Sequence, residues 1–322
     1  MSFKTEGRKA FNHLAKHNII VFDSEERKSK IGSKHYRYPG KENHHHHHGG
    51  HSNNLYPDQD YHHLVGKHKA SKTLFSDKHF PASNMLLPRA MQGSRIEWLR
   101  PKEICKKMEK SPRMVVNKRN RFDINQGEVG DCWFLAALAQ LAEKDKCFRR
   151  VVPEGQEFDR DYVGIFRFRF FRLVDIKTIN VEYIKNFCCR FGEWVEVVID
   201  DKLPTRNGNL VFLKAGDSNE FWSPLLEKAY AKLYGSYQAL DGGLSIEAAV
   251  DFTGGVPEVL NLSNQSRKDA EIFNEMLEAY EARAFLSCSL SVSPKVFRCV
   301  CISRINFVTH SMSTSQRWNI KS

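Results

Sequence analysis

Cys132 is the residue around which chemistry can be drawn. It follows Gly130 and Asp131 and opens an Ala- and Leu-rich run, CWFLAALAQLAEK, over residues 132–144. Such a composition favours helix. A helix apolar on almost every side belongs in the middle of a domain. Asp131 is a good N-cap residue, which puts Cys132 at the first helical position. There the orphan N–H groups and the helix dipole supply positive potential, which favours an anionic, nucleophilic sulfur. Gln126 stands six residues earlier, on the loop leading in. Its amide is placed to donate to an oxyanion formed beside the sulfur. A lone cysteine in a helix is more often a small apolar core residue. The Gly-Asp-Cys-Trp context and the upstream Gln argue instead for a nucleophile.

The elements that must position this cysteine are legible around it. Residues 162–172 alternate, with Phe166, Phe168 and Phe170 on one side and Arg167 and Arg169 on the other. That is a half-buried strand. Residues 194–200 predict a second strand. Ser223 and Pro224 open a helix over 223–234, with Pro in its first turn. The expected packing sets the 132–143 helix against the 194–200 strand and the 223–234 helix. Gly242 and Gly243 break the chain after it. Residues 271–290 read as a helix running into a strand.

Composition bounds the rest. Of 322 residues, 41% are hydrophobic, enough for a core. The formal charge of +11 is uneven: residues 1–71 carry 12 Lys/Arg against 7 Asp/Glu, residues 72–130 carry 13 against 6, and the remainder 24 against 25. A basic front half raises nucleic acid or an anionic membrane as partners. No nucleic-acid motif accompanies it, so a solvated basic surface is the reading, with no nucleic acid expected and at most weak association with anionic membranes. The eight cysteines form no CxxC pair and fit no zinc spacing. With no secretory signal and no apolar run of membrane-spanning length, the expectation is a reduced, cytoplasmic protein. Residues 1–71 are rich in His, Lys, Asn and Ser without a sustained period, and read as low-complexity and without fixed structure. They include the run His44 to His48, whose imidazoles suit at most weak transition-metal binding.

The segment QGEVGDCWFLAALAQLA resembles the nucleophile segment of papain-like cysteine proteases, and of calpains in particular. The same family pattern continues through IEWLRPKEI (96–104), GEWVEVVIDDKLPT (192–205), EFWSPLLEKAYAKLYGSY (220–237) and DFTGG (251–255). It covers roughly residues 72–290. The resemblance implies an α+β, papain-like calpain protease core. Residues 72–255 would form the nucleophile lobe, 256–293 the start of a second lobe, and 294–322 a divergent tail. It implies Cys132 as nucleophile, Gln126 as oxyanion donor, and Gly243 and Trp133 at the substrate, with protein substrates. Gly243 would let a substrate backbone pair as an extended strand. It also implies a calcium ion held by the side chains of Asp123 and Glu220 and the backbone carbonyls of Val116 and Lys118. Oxygen donors of this kind suit a hard cation. Family members often have Gly where Lys118 stands, and the added positive charge nearby should weaken affinity.

Two features depart from the pattern. Seventeen extra residues, 173–189, separate the two strands where calpains have a short connection, and they read as a gene-model interruption. A loop at a hairpin end is thermodynamically tolerable, because closure entropy grows slowly with length. The second departure concerns the base. Calpains carry their His in a Gly-His-Ala-Tyr context and their Asn in Asn-Pro-Trp-Gly, both downstream of the Cys. The single histidine after Cys132 is His310, in Val308-Thr309-His310-Ser311, and no Asn-Pro-Trp follows. The second lobe therefore reads as truncated. The functional reading is a calcium-dependent cysteine endopeptidase, poorly active or inactive as written. The alternative is a non-catalytic calpain-derived fragment or binding module. Limited iodoacetamide labelling of the native protein, read by mass spectrometry, should modify Cys132 before the other seven thiols. Preferential labelling of Cys188 and Cys189 would count against a nucleophilic Cys132.

Overall fold

The computed structural model describes residues 18–23, 54–116, 119, 121, 124–159, 161–173, 192–260, 269–293 and 296–301. The chain divides into two compact units, one of Arg27–Gly254 and one of Met1–Glu26 with Gly255–Ser322.

The helices of the larger unit are α1 (Tyr61–Ser71), α2 (Pro101–Lys106), α3 (Cys132–Ala142), α4 (Asp145–Val151), α5 (Trp222–Tyr234) and α6 (Ser245–Thr253). Strand β1 (Asn18–Asp23) belongs to the other unit, so the strands here are β2 (Glu97–Leu99), β3 (Ile124–Asn125), β4 (Ile165–Leu173), β5 (Gly192–Asp200), β6 (Leu203–Arg206), β7 (Asn209–Leu210) and β8 (Lys214–Ala215). They form small antiparallel sheets: β2-β6-β7, β3-β8 and β4-β5. The longest ladder is β4-β5, paired from Ile165↔Asp200 to Leu173↔Gly192. Its alternation is as read from sequence. Phe166, Phe168 and Phe170 are buried, while Arg167 and Arg169 both reach the Glu196 carboxylate. The interruption read at 173–189 thus begins at a paired strand end, and its residues 174–189 lie outside the described residues.

Helix α5 lies against β5, and α6 against β4. Tyr230 of α5 joins these layers. Its ring stacks on Phe134 of α3 at 4.6 Å, meets Phe170 of β4 edge-on at 5.4 Å, and lies 6.0 Å from Phe252 of α6. Its hydroxyl donates to Asp251 Oδ2 at 2.9 Å. Helix α3 is buried almost all round, as its composition demands. Its main neighbour is α6, however, and not the 194–200 strand. The strand face expected for it is taken by α5, whose own apolar residues leave it no exposed side.

The front of the chain differs from its low-complexity reading. Strand β1 and helix α1 both lie inside residues 1–71. Asp60 caps α1, accepting from the His63 N–H at 2.7 Å. Leu64 packs with Phe75, Val163, Ile165 and Val198. Tyr61 and Val65 pack against the same cluster, so the helix is seated by a short apolar stripe among histidines and lysines. The His44–His48 run lies outside the described residues.

In the smaller unit, a four-stranded antiparallel sheet runs β11 (Val296–Cys301), β10 (Leu286–Ser293), β1, β9 (Val256–Leu260). Helix α7 (Asp269–Glu281) buries Ile272 and Met276. The helix-then-strand reading of 271–290 matches α7 and β10. The tail expected after residue 293 contributes β11, and the front of the chain contributes β1 as an inner strand. A separation of more than 200 residues between β1 and β9 leaves no local signal for that pairing.

The chain before the nucleophile lobe is held by buried charge. Lys232 Nζ donates to Asp77 Oδ2 at 2.7 Å, to the Val198 carbonyl at 2.6 Å and to Gln59 Oε1. Gln59 Nε2 closes the group on Asp77 Oδ1 at 2.8 Å. Removing one partner of such a pair strands the other charge in the interior, at a cost of about 3–5 kcal/mol. Lys232→Ala should therefore lose about that much in urea unfolding, and Lys232→Met nearly as much, because Asp77 stays buried in both.

Candidate active site

Cys132 is the first residue of α3, and the Asp131 carbonyl starts that helix by accepting from the N–H groups of Phe134 (2.8 Å) and Leu135 (3.1 Å). Asp131 occupies the N-cap position, but its side chain makes no capping bond. The carboxylate turns inward and is wholly buried. Cys132 keeps partial exposure, whereas its neighbours Trp133 and Phe134 are buried. A thiol at the start of an orphaned, donor-rich helix end, open to solvent on one side, is what nucleophilic attack requires.

The loop leading to Cys132 is stitched to its surroundings by backbone. The Glu128 N–H donates to the Val211 carbonyl at 3.1 Å, and the Gly242 N–H donates to the Gly130 carbonyl at 3.0 Å. A Cβ at Gly127 would overlap the Phe212 backbone, and one at Gly130 would overlap the Asp241 carboxylate. Gly127 cannot take a side chain without moving backbone, whereas one at Gly130 would have to displace the Asp241 carboxylate. Arg206 adds an ion pair to Glu128 at 2.6 Å.

Gln126 lies on this loop. Its Nε2 donates to the Val129 carbonyl at 3.0 Å and faces Asp131 Oδ1 at a longer 3.4 Å. The amide is thus tethered one residue before Cys132, and the weaker of its two bonds is the one nearest the helix start. Trp133 sits below. It is 3% exposed, and its indole N–H donates to the Leu240 carbonyl at 3.0 Å. Its ring forms the surface against which Gly243 rests, because a Cβ on Gly243 would overlap the indole. Expected at the substrate, Trp133 instead supports the Gly243 backbone from behind.

The residues read as calcium ligands are only partly described. Asp123 and Lys118 lie outside the described residues. Val116 and Glu220 are brought together: the Val116 N–H donates to Glu220 Oε2 at 2.8 Å. Glu220 Oε1 accepts from the Trp222 indole N–H, and Glu220 is buried. Among the described residues no group of three or more His, Cys, Asp or Glu is gathered as metal ligands would be.

Sequence reading missed one acid and its pairing with Asp131. Glu227 lies in the middle of α5, fully buried, and accepts from the Leu213 N–H. Its carboxyl and that of Asp131 are close buried neighbours, and Asp131 Oδ2 receives no donor. Burial first, and then the Asp131 charge, hold the Glu227 acid well above the usual carboxylate range. Burial also pushes Asp131 up to about 6, against the hydrogen bonds from Glu227 and Gln126. The one signal available was a Glu set in the apolar run Leu225, Leu226, Ala229, Tyr230.

An α+β core with a cysteine opening a buried helix, and a glutamine tethered one turn upstream, is that of a papain-like cysteine protease. The chain matches the calpain family cysteine protease family over residues 75–310. It is 44% identical over 239 residues to Calpain-A of Drosophila melanogaster, covering 74% of this chain and 26% of that protein. It is 42% identical over 240 residues to Calpain clp-1 of Caenorhabditis elegans, covering 74% and 28%. To Calpain-8 of Mus musculus it is 42% identical over 244 residues, covering 74% and 31%. This chain belongs to the calpain family of cysteine proteases. It spans about a quarter to a third of the length of these relatives. The family match ends on His310, beyond residue 290 where the motifs stop being recognisable by eye.

The Gly243–Trp133 contact is testable by itself. The indole is fixed by its bond to Leu240, so it cannot swing aside for a methyl group. Gly243→Ala should cost about 1–3 kcal/mol in denaturant unfolding, as overpacking does. Gly242→Ala would report backbone strain instead, because Gly242 has a φ of +82° with nothing near its Cβ position.

Proposed function

We propose that this chain is the protease core of a calcium-dependent cysteine endopeptidase acting on protein substrates. The observation that carries the reading is the placement of Cys132: partly exposed, at the first residue of a buried helix, in a loop pinned by Gly127 and Gly130. The Cys132 thiol passes its proton to a histidine, and Sγ then attacks the scissile carbonyl carbon, whose π electrons move onto oxygen as an oxyanion. Gln126 Nε2 exchanges its long bond to Asp131 for one to that oxyanion. The Gly243 backbone, kept bare by Trp133, pairs with an extended substrate strand. The C–N bond breaks as a histidine hands a proton to the leaving amine, and water then cleaves the thioester. The end of the family match at residue 310 supports His310 as that histidine.

The chain on its own is read as a slow protease. His310 stands among Val308, Thr309 and Ser311, not in the Gly-His-Ala-Tyr setting of calpains. Members of a catalytic unit act together, so a poorly oriented base loses most of the rate. The reading also keeps residues 173–189 as an addition between paired strand ends.

Calcium is proposed at Glu220 and Asp123 with the carbonyls of Val116 and Lys118. The residues fit the ion in kind: a buried carboxylate and a backbone segment already joined to it. Calcium there would neutralise buried negative charge and tie the loop before Gln126 to the start of α5. Work in the cytoplasm, and weak attraction of the basic front to anionic membrane, complete the reading. No helix among the described residues is long and apolar enough to cross a membrane.

Casein or fluorogenic-peptide hydrolysis by the full chain, with and without calcium, tests this. Calcium-stimulated cleavage should fall to background in Cys132→Ser and drop in His310→Ala by about 10²-fold or more. Calorimetry should show Glu220→Gln binding calcium about tenfold more weakly than the parent, since one ligand charge is lost. Cleavage that survives Cys132→Ser would refute the assignment.

A further inference from the structure

The mechanism above leaves Glu227 unused, yet its surroundings are specific. It accepts from the Leu213 N–H at 3.1 Å on Oε2 and 3.4 Å on Oε1. Its other partner is the Asp131 carboxyl. Asp131 offers Oδ1 to Gln126 Nε2, while Oδ2 is buried and receives no N–H or other fixed donor. Two ionised carboxylates cannot hydrogen-bond to each other, because each only accepts. A bond between them needs a proton on one. Two like charges side by side in a dry interior force the same outcome. Glu227 is the better seat for that proton. Asp131 already accepts from Gln126 as a carboxylate does, and a neutral Glu227 supplies the donor that Asp131 Oδ2 lacks.

We propose that Glu227 is a positioning residue for the nucleophile loop: as a neutral acid it donates to Asp131, and the Asp131 carboxylate in turn holds the Gln126 amide beside Cys132. This rests on the assignment of Cys132 and Gln126 as nucleophile and oxyanion donor. The chain of bonds runs from Leu213 through Glu227 and Asp131 to Gln126. It therefore links α5 to the residue on either side of the pinned loop. The other titratable groups facing the pair are Asp241, which lies against Gly130 and raises Asp131 further, and the Tyr237 phenol, which burial holds well above its ordinary value.

The pair has a predictable pH signature. Asp131 is pushed up to about 6, above its ordinary value of 3.8. The folded protein then binds this proton more tightly than the unfolded chain. Its stabilising effect is complete below about pH 4 and is lost as pH rises through about 6. At neutral pH the pair works against stability, as groups retained for a site's geometry commonly do.

Infrared spectroscopy of the full chain at pH 7 tests the proton directly. A protonated carboxyl band should be present, should shift on carbon-13 labelling of Glu but not Asp side chains, and should lose intensity in Glu227→Gln. Selective nitrogen-15 labelling of Gln tests the coupling. The Gln126 side-chain amide should titrate with a midpoint near 6, and Asp131→Asn should abolish that titration. In hydrolysis, Glu227→Leu should lower kcat about tenfold or more with KM within about twofold. Glu227→Gln, whose amide still donates to Asp131 and accepts from Leu213, should recover most of that loss. Absence of a Glu acid band, or a Gln126 amide indifferent to Asp131→Asn, would overturn the proposal. A parent chain that cleaves nothing would count against the proposed function alone, since the spectroscopic readouts do not need turnover.

Discussion

Helix α5 is buried on every side although three ionisable side chains interrupt its apolar run. Glu227, Lys228 and Lys232 cannot remain alone in the interior, because an unpaired buried charge costs several kcal/mol. Each therefore obliges a distant segment to come to it. Lys228 meets Asp200 at the end of β5 and the Lys202 carbonyl. Lys232 meets Asp77, Gln59 and Val198. Glu227 meets Asp131, the residue before the nucleophile. The strand hairpin, the chain in front of the lobe and the active-site loop are thus placed by the demands of one helix. Hydrophobic burial around Tyr230 gives the core its bulk, and these polar partners give it a single arrangement.

The nucleophile loop illustrates how rigidity is obtained without regular structure. Its backbone is committed to Val211 on one side and Gly242 on the other. Gly127 and Gly130 permit approaches that any side chain would block. Opposite them, Gly243 rests on the Trp133 indole. The family's glycines are therefore not only openings for a substrate. They also let backbone segments and one aromatic ring pack closely beside the start of α3.

The smaller unit follows another logic. Its sheet takes β1 from the front of the chain and β11 from its end, with β10 and β9 between and beside them. A β-strand must find partners for its backbone groups, and any segment of adequate length can supply them. Composition decides less here than it does in α3, where burial of the side chains selects the residues.

Much of the catalytic lobe was written in local patterns. The apolar runs of α3 and α5 and the two-residue alternation of β4 follow from how much of each must be buried, and residue types alone reveal that. Cys132 at a helix start, and Gln126 upstream, were legible for the same reason: capping and dipole effects act within a few residues. The sequence by itself thus determined the class of fold, the candidate nucleophile and the family. Tertiary structure decided what lies between distant residues. It turned the Asp131 carboxylate inward to Glu227, 96 positions away, where capping chemistry had pointed it at the helix. It gave Trp133 to Gly243 as a support, joined Val116 to Glu220, set α3 against α6, and seated α1 through Leu64 on Phe75, Val163, Ile165 and Val198. Local propensity carries no information about such partners, because the energy of a buried polar group depends on what the rest of the chain brings to it.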